Sequence, residues 1–418
     1  MRIIADLHIH SKYSRATSRE MNLETLSQWA RIKGIDVLGT GDFTHPAYFA
    51  SIEEKLEPSA PGLFALKGKG EKPVHFMLTS EVSNIYSQDG KTRKVHSLIF
   101  APSLEAAGKI NATLSTLGNV SSDGRPIFGF SARDLLKIVL DSDPDALLVP
   151  AHAWTPWFSV FGSRSGFDSI EECFGEYSGH IHAIETGLSS NPPMNWRLKA
   201  LDNITLISNS DAHSPAKLGR EANVFDCEPD YYEITDIIKK GDRDRFLFTV
   251  EFYPEEGKYH ADGHRNCAVL LTPAETRSAG RKCPVCGGEL TVGVLSRVEE
   301  LADRPGGFVP DGAVPARHLV PLQEIIAEAL GAGVNTVKVK RDYKRLVTEA
   351  GSEFALLLDT SPEDLVKLAG ERLAEGIIRV RSGEISITPG FDGEFGKIKI
   401  FSRAEKPGPL GARQISLF

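Results

Sequence analysis

Ile3-Ile4-Ala5-Asp6-Leu7-His8-Ile9-His10 is a short apolar run that closes on two histidines two residues apart. Side chains alternate between the faces of a β-strand, so His8 and His10 project from one face. Ile3, Ile4, Leu7 and Ile9 supply the burial such a strand needs. Two imidazoles on one face at the end of a buried strand suit the holding of a metal ion. The plainer alternative is a pair of hydrogen-bonded histidines, and the rest of the chain has to decide.

The following segments repeat the pattern. Asn22 is placed to cap a helix through Leu23, Leu26, Trp29, Ala30 and Ile32, which Gly34 closes. Residues 35–40 then read as a buried strand that runs into Gly41-Asp42-Phe43-Thr44-His45. Strands are expected at 74–80, with Glu81 just after, and at 94–101, with His96 inside. Ser131 caps a helix that carries Leu135, Leu136, Ile138 and Val139. Three further apolar strands end at His152, at Glu185, and at Asp211 with His213. Strands alternate with helices, and His, Asp or Glu recur at strand C-terminal ends, where α/β barrel enzymes keep their sites.

The 418 residues, 41% hydrophobic and 25% charged, suit a globular protein of two or three domains. No stretch is apolar enough to span a bilayer and no leader peptide is evident, so a cytoplasmic protein without membrane contact is expected. A net charge of -8 means that any nucleic-acid contact must come from local patches.

The candidate metal ligands are His8, His10, Asp42, His45, Glu81, His96, His152, Asp211 and His213. Nine exceed the needs of one ion. Two or three divalent ions are implied, of zinc, manganese, iron or magnesium, and the donors favour the first three over calcium or magnesium alone. Glu81 is the expected bridging carboxylate, and Asp211, His213, Glu81 and His8 are the expected catalytic groups. Asp6 is placed to orient a ligand histidine. Phe43, Trp154, Trp157 and Phe158 are aromatic, lie near strand ends, and suit either base stacking or the core. Paired ions are a common device for phosphoester hydrolysis.

The segments Asp6-Leu7-His8-Ile9-His10-Ser11, Gly41-Asp42-Phe43-Thr44-His45, Glu81, His96, His152 and Ser210-Asp211-Ala212-His213 resemble the motifs of the PHP (polymerase and histidinol phosphatase) family over roughly the first 250 residues. The resemblance implies an α/β fold, a distorted (β/α)7 barrel with a two- or three-metal site for phosphoester hydrolysis. Many members carry an acidic residue soon after the first motif, where this chain reads Ser14-Arg15-Ala16. That leaves the third ion open and makes Arg15 a candidate phosphate contact.

His264-Arg265-Asn266-Cys267 and Cys283-Pro284-Val285-Cys286-Gly287-Gly288 form two knuckles of a tetrahedral structural zinc site, with His264 or His260 as the fourth ligand. The run from Tyr259 to Cys267 after such a barrel is similar to the endonuclease Q group within the PHP family. That likeness implies a DNA repair endonuclease, metal-dependent, that cuts 5′ to deaminated bases (uracil, hypoxanthine, xanthine) or abasic sites. Damaged DNA is then the partner.

Lys338, Lys340, Arg341, Lys344 and Arg345 make a basic patch suited to a DNA backbone, and 277–282 is a second candidate. The end, Gln414-Ile415-Ser416-Leu417-Phe418, resembles the peptide that docks on bacterial sliding clamps. The expected layout is a barrel over 1–252, a zinc module over 253–295, a mostly helical DNA-binding domain over 296–405 and a flexible tail over 406–418. The expected state is a monomer near the nucleoid. The rival readings are a small-molecule phosphoesterase of the histidinol-phosphatase kind and a non-catalytic scaffold.

Overall fold

The computed structural model describes residues 1–68 and 73–401, so the clamp-type peptide at 414–418 lies outside the described residues. The architecture is mixed α/β with a helical C-terminal region. Strand Arg2–Asp6 is central. It runs parallel to Val37–Gly39, which runs parallel to His75–Gln88. On its other side it pairs antiparallel with Ala222–Asp226, which pairs antiparallel with Phe246–Glu251. Ala183–Glu185 and Thr205–Ile207 form a separate parallel pair.

Burial follows the period of two. Ile3, Val37, Met77, Leu98, Leu147, Ala183, Ile207 and Phe225 come from eight strands and meet in one cluster, so the sheet curls around them. Ile4, Leu38, Phe76, Ile99, Leu148, Ile184 and Val224 point the other way, onto the helices. Helix Leu23–Lys33 begins where Asn22 accepts the Thr25 N–H and ends at Gly34, whose φ of 85° only glycine adopts freely.

The strand pairing is mixed, not the uniform parallel order expected from strand–helix alternation. Residues 75–101 form one long hairpin, and Glu81 lies inside strand His75–Gln88, where an earlier strand end was expected. The cause is local. Asp89 and Gly90, with φ of 52° and 71°, make a two-residue turn that forces Lys91–Ala101 back antiparallel.

Beyond residue 252, short strands Asp262–His264 and Val269–Leu271 pair with each other. Strand Ala316–His318 adds to the edge of Phe246–Glu251. Helices Leu322–Leu330, Val337–Ala350, Pro362–Ala369 and Glu371–Ser382 follow. A hairpin turning at Ser382-Gly383 is expected from alternation in 377–387, but the structure has a helix there. Leu373, Ala374, Ile377 and Val380 share one buried face at helical spacing, and Gly383 (φ 70°) caps the end. No described helix is long and apolar enough to cross a membrane.

Candidate active site

Two donor sets face each other, one just beyond strand ends and the other largely within the hairpin of residues 75–101. The first is His8, His10 and Asp211, and the second is Glu81, His96 and His152, each set having its ligand atoms within 4.8 Å of one another. His8 and His10 lie just beyond strand Arg2–Asp6, on a segment kept extended by the parallel bridge of Ile9 with Ala212. Asp211 follows Thr205–Ile207, and His152 follows Leu147–Pro150. Glu81 pairs with Leu98, and His96 with Ser83, so the two are diagonal neighbours on one face of the hairpin.

Glu81 joins the sets. Its Oε1 lies 2.8 Å from His96 Nδ1 and 3.1 Å from His152 Nε2. Its Oε2 lies 3.2 Å from His10 Nε2 and 3.7 Å from His8 Nε2. Asp211 Oδ1 is 3.1 Å from His10 Nε2 and 3.6 Å from His8 Nε2. Yet His8 Nε2, His10 Nε2 and Asp211 Oδ1 are buried without a hydrogen-bond partner. Ligands about 2.1 Å from one ion stand about 3.0–3.4 Å apart in octahedral or tetrahedral geometry, so the donor spacing fits cations at both sets.

The site is strongly anionic, and without an ion His8 and His10 take up protons that a bound cation would displace. Burial alone would depress His8 and His10. Glu185, Asp211 and Glu81 outweigh it at His8, and Asp42, Asp211 and Glu81 at His10, so both are held well above the ordinary histidine pKa. Burial opposes ionisation of Glu81, but His96, Arg125 and His8 keep it well below the usual carboxylate range. Burial pushes His96 down to about 4 against the pull of Glu81, which leaves it neutral, as a ligand must be.

Around the donors lies a ring of orienting groups. Both Glu185 oxygens face His8 Nδ1, at 3.1 and 3.0 Å, and Glu185 also accepts the His152 backbone N–H at 2.8 Å and Asn209 Nδ2 at 3.0 Å. Asp42 Oδ1 faces His10 Nδ1 at 3.1 Å, and Ser159 Oγ faces His152 Nδ1 at 3.2 Å. Each such contact ties Nδ1 and turns Nε2 inward. Asp42, His152 and Asp211 have φ of 47°, 30° and 47°, the left-handed region that non-glycine residues seldom occupy.

Not every expected ligand joins a donor set. Asp42 Oδ2 accepts from Ser11 N, Ser11 Oγ and Ser14 Oγ at 2.6, 2.6 and 2.8 Å. His45 turns Nε2 to Ser121 O at 3.2 Å and stacks on Tyr13. His213 lies against the His10 ring at 4.4 Å and bonds the Asp211 carbonyl through Nδ1. Asp6 does not orient a histidine. It accepts the N–H groups of Ser210 and Gly219, and so holds the loop that carries Asp211. Arg15 is exposed, and its N–H donates to Asp123. Arg125 donates to Glu81 Oε2 at 2.9 Å and no motif flags it. Glu185 shares the strand-end signal of the ligands and was legible on that ground.

Phe43 and Trp154 are core, with Trp154 Nε1 bonded to Asn195. Phe158 packs on the His96 ring at 4.6 Å. Trp157 is exposed and meets Tyr259 edge-on at 5.9 Å. With Thr155, Ser189, Lys258 and His260 they line a cavity of about 230 Å³, and Thr155 Oγ1 is 3.3 Å from His152 Nδ1.

His264, Cys267, Cys283 and Cys286 gather within 4.8 Å of one another, whereas His260 is not in the group. Gly287 (φ 74°) donates to the Cys283 carbonyl at 2.8 Å and closes the knuckle. Burial would raise the Cys283 thiol, but the Cys286 and Val285 amides pull it down to about 7, nearer the thiolate a metal requires. Lys338, Lys340, Arg341, Lys344 and Arg345 all lie exposed on helix Val337–Ala350. Arg341 is paired with Asp342 and Arg345 with Glu349.

The family model described as the MJ0043 C-terminal domain matches residues 321–384. The chain is 34% identical over 257 residues to the uncharacterized protein MJ0043 of Methanocaldococcus jannaschii, covering 59% of the chain and 31% of that protein's length. It is 29% identical over 412 residues to the uncharacterized protein YqxK of Bacillus subtilis, covering 95% of the chain and 99% of the relative. The crystal structure of the lesion-specific endonuclease PfuEndoQ from Pyrococcus furiosus matches with TM-score 0.87 at 33% identity over 100% of both chains. A structure of endonuclease Q with a 27-mer duplex bearing an abasic lesion at the active site matches with TM-score 0.85 at 33% identity, over 98% of this chain and 100% of that one. With likeness of this extent over the whole chain, the protein belongs to the endonuclease Q family.

Proposed function

We propose that this DNA-cleaving hydrolase is a metal-dependent repair endonuclease that cuts the phosphodiester 5′ to an abasic site or a deaminated base (uracil, hypoxanthine or xanthine). The observation that carries it is the pair of donor sets joined by Glu81. His8, His10, Asp211 and Glu81 would hold one ion, and Glu81, His96 and His152 another. When bound, divalent ions supply a water of lowered pKa and counter-charge for the phosphate. The residues do the rest: Glu185, Asp42 and Ser159 fix the imidazole tautomers, and the buried carboxylates accept cationic charge without reorganisation.

The cavity lined by Trp157 and Tyr259 supports the lesion reading. It adjoins His152 and offers two aromatic rings to an extruded nucleotide. Extrusion costs a few kcal/mol and least at damaged positions, which is itself a source of selectivity. The basic residues of helix Val337–Ala350 would rest on the DNA backbone, and His264, Cys267, Cys283 and Cys286 would bind one structural zinc. The 414–418 peptide would dock on a sliding clamp and keep the monomer near replicating DNA.

Duplexes carrying uracil, hypoxanthine, xanthine or an abasic site should be cut in the presence of manganese or magnesium, and D211A should abolish the cut. Equal cleavage of undamaged duplex would remove the lesion claim, and turnover of histidinol phosphate without DNA binding would replace the reading.

A further inference from the structure

Arg125 stands at the edge of the donor sets without being a ligand. Its Nη1 donates to Glu81 Oε2 at 2.9 Å, the oxygen that also faces His10 Nε2. Its side chain keeps 27% of its surface exposed while that of Glu81 keeps none, so one edge of the guanidinium is pinned and the rest looks outward. Among the described residues it is the one Lys or Arg in an ion pair with a carboxylate of the donor sets.

The loop carrying Arg125 is clamped against the first motif. Asp123 Oδ1 accepts the N–H groups of Arg125 and Arg15, at 3.0 and 3.3 Å. Gly124 N–H donates to the Tyr13 carbonyl at 3.0 Å, and the Gly124 carbonyl accepts from Thr44 Oγ1 at 3.2 Å. A Cβ on Gly124 would lie 2.3 Å from Asp42 Oδ2, so only glycine lets the loop approach so closely.

Of the candidate ligands outside the two donor sets, Asp42 is fully engaged, while His45 keeps a buried Nδ1 without a partner and His213 is bonded only through Nδ1. Both Asp42 oxygens are engaged, by Ser11 and Ser14 on one side and His10 on the other. His45 faces Ser121 through Nε2. Beside the imidazoles, the fixed positive charge at this edge is the guanidinium.

We propose that Arg125 is the phosphate-binding residue of the site, and that it neutralises the charge a third ion would otherwise balance; this rests on the phosphodiester reading above. As the water oxygen bonds to phosphorus and the P–O bond to the leaving sugar breaks, charge builds on the non-bridging oxygens. One proton of the water ends on the leaving sugar oxygen, and Arg125 keeps its own. A guanidinium fork presents two N–H groups to two phosphate oxygens at once, which a lysine cannot do.

The holoenzyme, R125A and R125K should be compared by three measurements. Single-turnover cleavage of an abasic-site duplex should fall about 100- to 1,000-fold in R125A, the loss seen for one oxyanion donor, with part recovered in R125K. Inorganic phosphate, titrated calorimetrically into the metal-loaded protein, should bind R125A at least about tenfold more weakly, since a charge-assisted hydrogen bond is lost. Ion content by mass spectrometry should stay at two in the barrel in all three proteins. The proposal is overturned if the wild type holds three ions there, if R125A loses ions, or if phosphate affinity is unchanged. If the wild type cuts no lesion-bearing duplex, the phosphate and ion measurements still judge Arg125, and only the substrate reading falls.

Discussion

Glu185 shows how much one side chain can organise without touching a substrate. It is fully buried, and its oxygens serve His8, Asn209 and the His152 backbone together. Each donor set therefore has a member positioned by the same carboxylate. Changing it to glutamine preserves shape but removes the charge and presents a donor to Nδ1 of His8. E185Q should retain the fold, by unchanged circular dichroism, while its affinity for manganese falls about 10- to 100-fold, the usual effect of losing a group that orients a metal ligand. Chelator competition would read this, and unchanged ion affinity would show that His8 needs no such support. The histidines were legible in the sequence because most of them end an apolar run and His96 sits inside one. Arg125, Ser11 and Ser14 were not, because they lie in loops and gain meaning only from what the fold brings next to them.

Among the elements, the knuckle at 283–288 and the hairpin at 75–101 carry opposite lessons. Cys-x-x-Cys with a following Gly-Gly is a local instruction, and the chain obeys it, with Cys283 bonded to Gly288 and Gly287 turned to positive φ. The pieces it joins are short: Asp262–His264, Val269–Leu271 and helix Pro273–Ser278. Segments this small have too little core to hold without a staple. C283S should therefore release one zinc equivalent and open 262–292 to limited proteolysis, while the rest of the chain keeps its melting transition. Resistance of that segment after zinc loss would mean that packing, not metal, holds it. The hairpin differs from its sequence pattern at Glu81 because a carboxylate normally ends an apolar strand. Here Glu81 stays inside it, since imidazoles and Arg125 replace the water it gave up.

Across the whole molecule, the main question is how a protein of net charge -8 approaches DNA. Helix Val337–Ala350 gathers its basic residues on a face away from Val339, Tyr343, Leu346 and Val347, which are buried. A buried network docks it: Lys33 Nζ meets Glu353 Oε2 at 2.7 Å, and Tyr343 Oη donates to the same oxygen at 2.6 Å. The helix is thereby fixed to the element that follows the opening strand. Replacing Lys338, Lys340 and Lys344 together with glutamate should weaken duplex binding and flatten its dependence on log salt by up to about three units, near one for each phosphate no longer neutralised. Anisotropy titrations over a range of KCl would show it, and an unchanged slope would remove this helix from the interface. By itself the sequence displayed the candidate donors, the mixture of strands and helices, the paired cysteines and the basic stripe, because each depends on residue type and spacing within a few turns or strands. Only the tertiary structure decided which of the nine candidates form two sets, that Asp42 and Glu185 orient and Asp6 braces, and that His264 rather than His260 joins the cysteines. Those outcomes depend on distances between residues far apart in the chain, set by how the sheet curls and packs, and no local pattern encodes them.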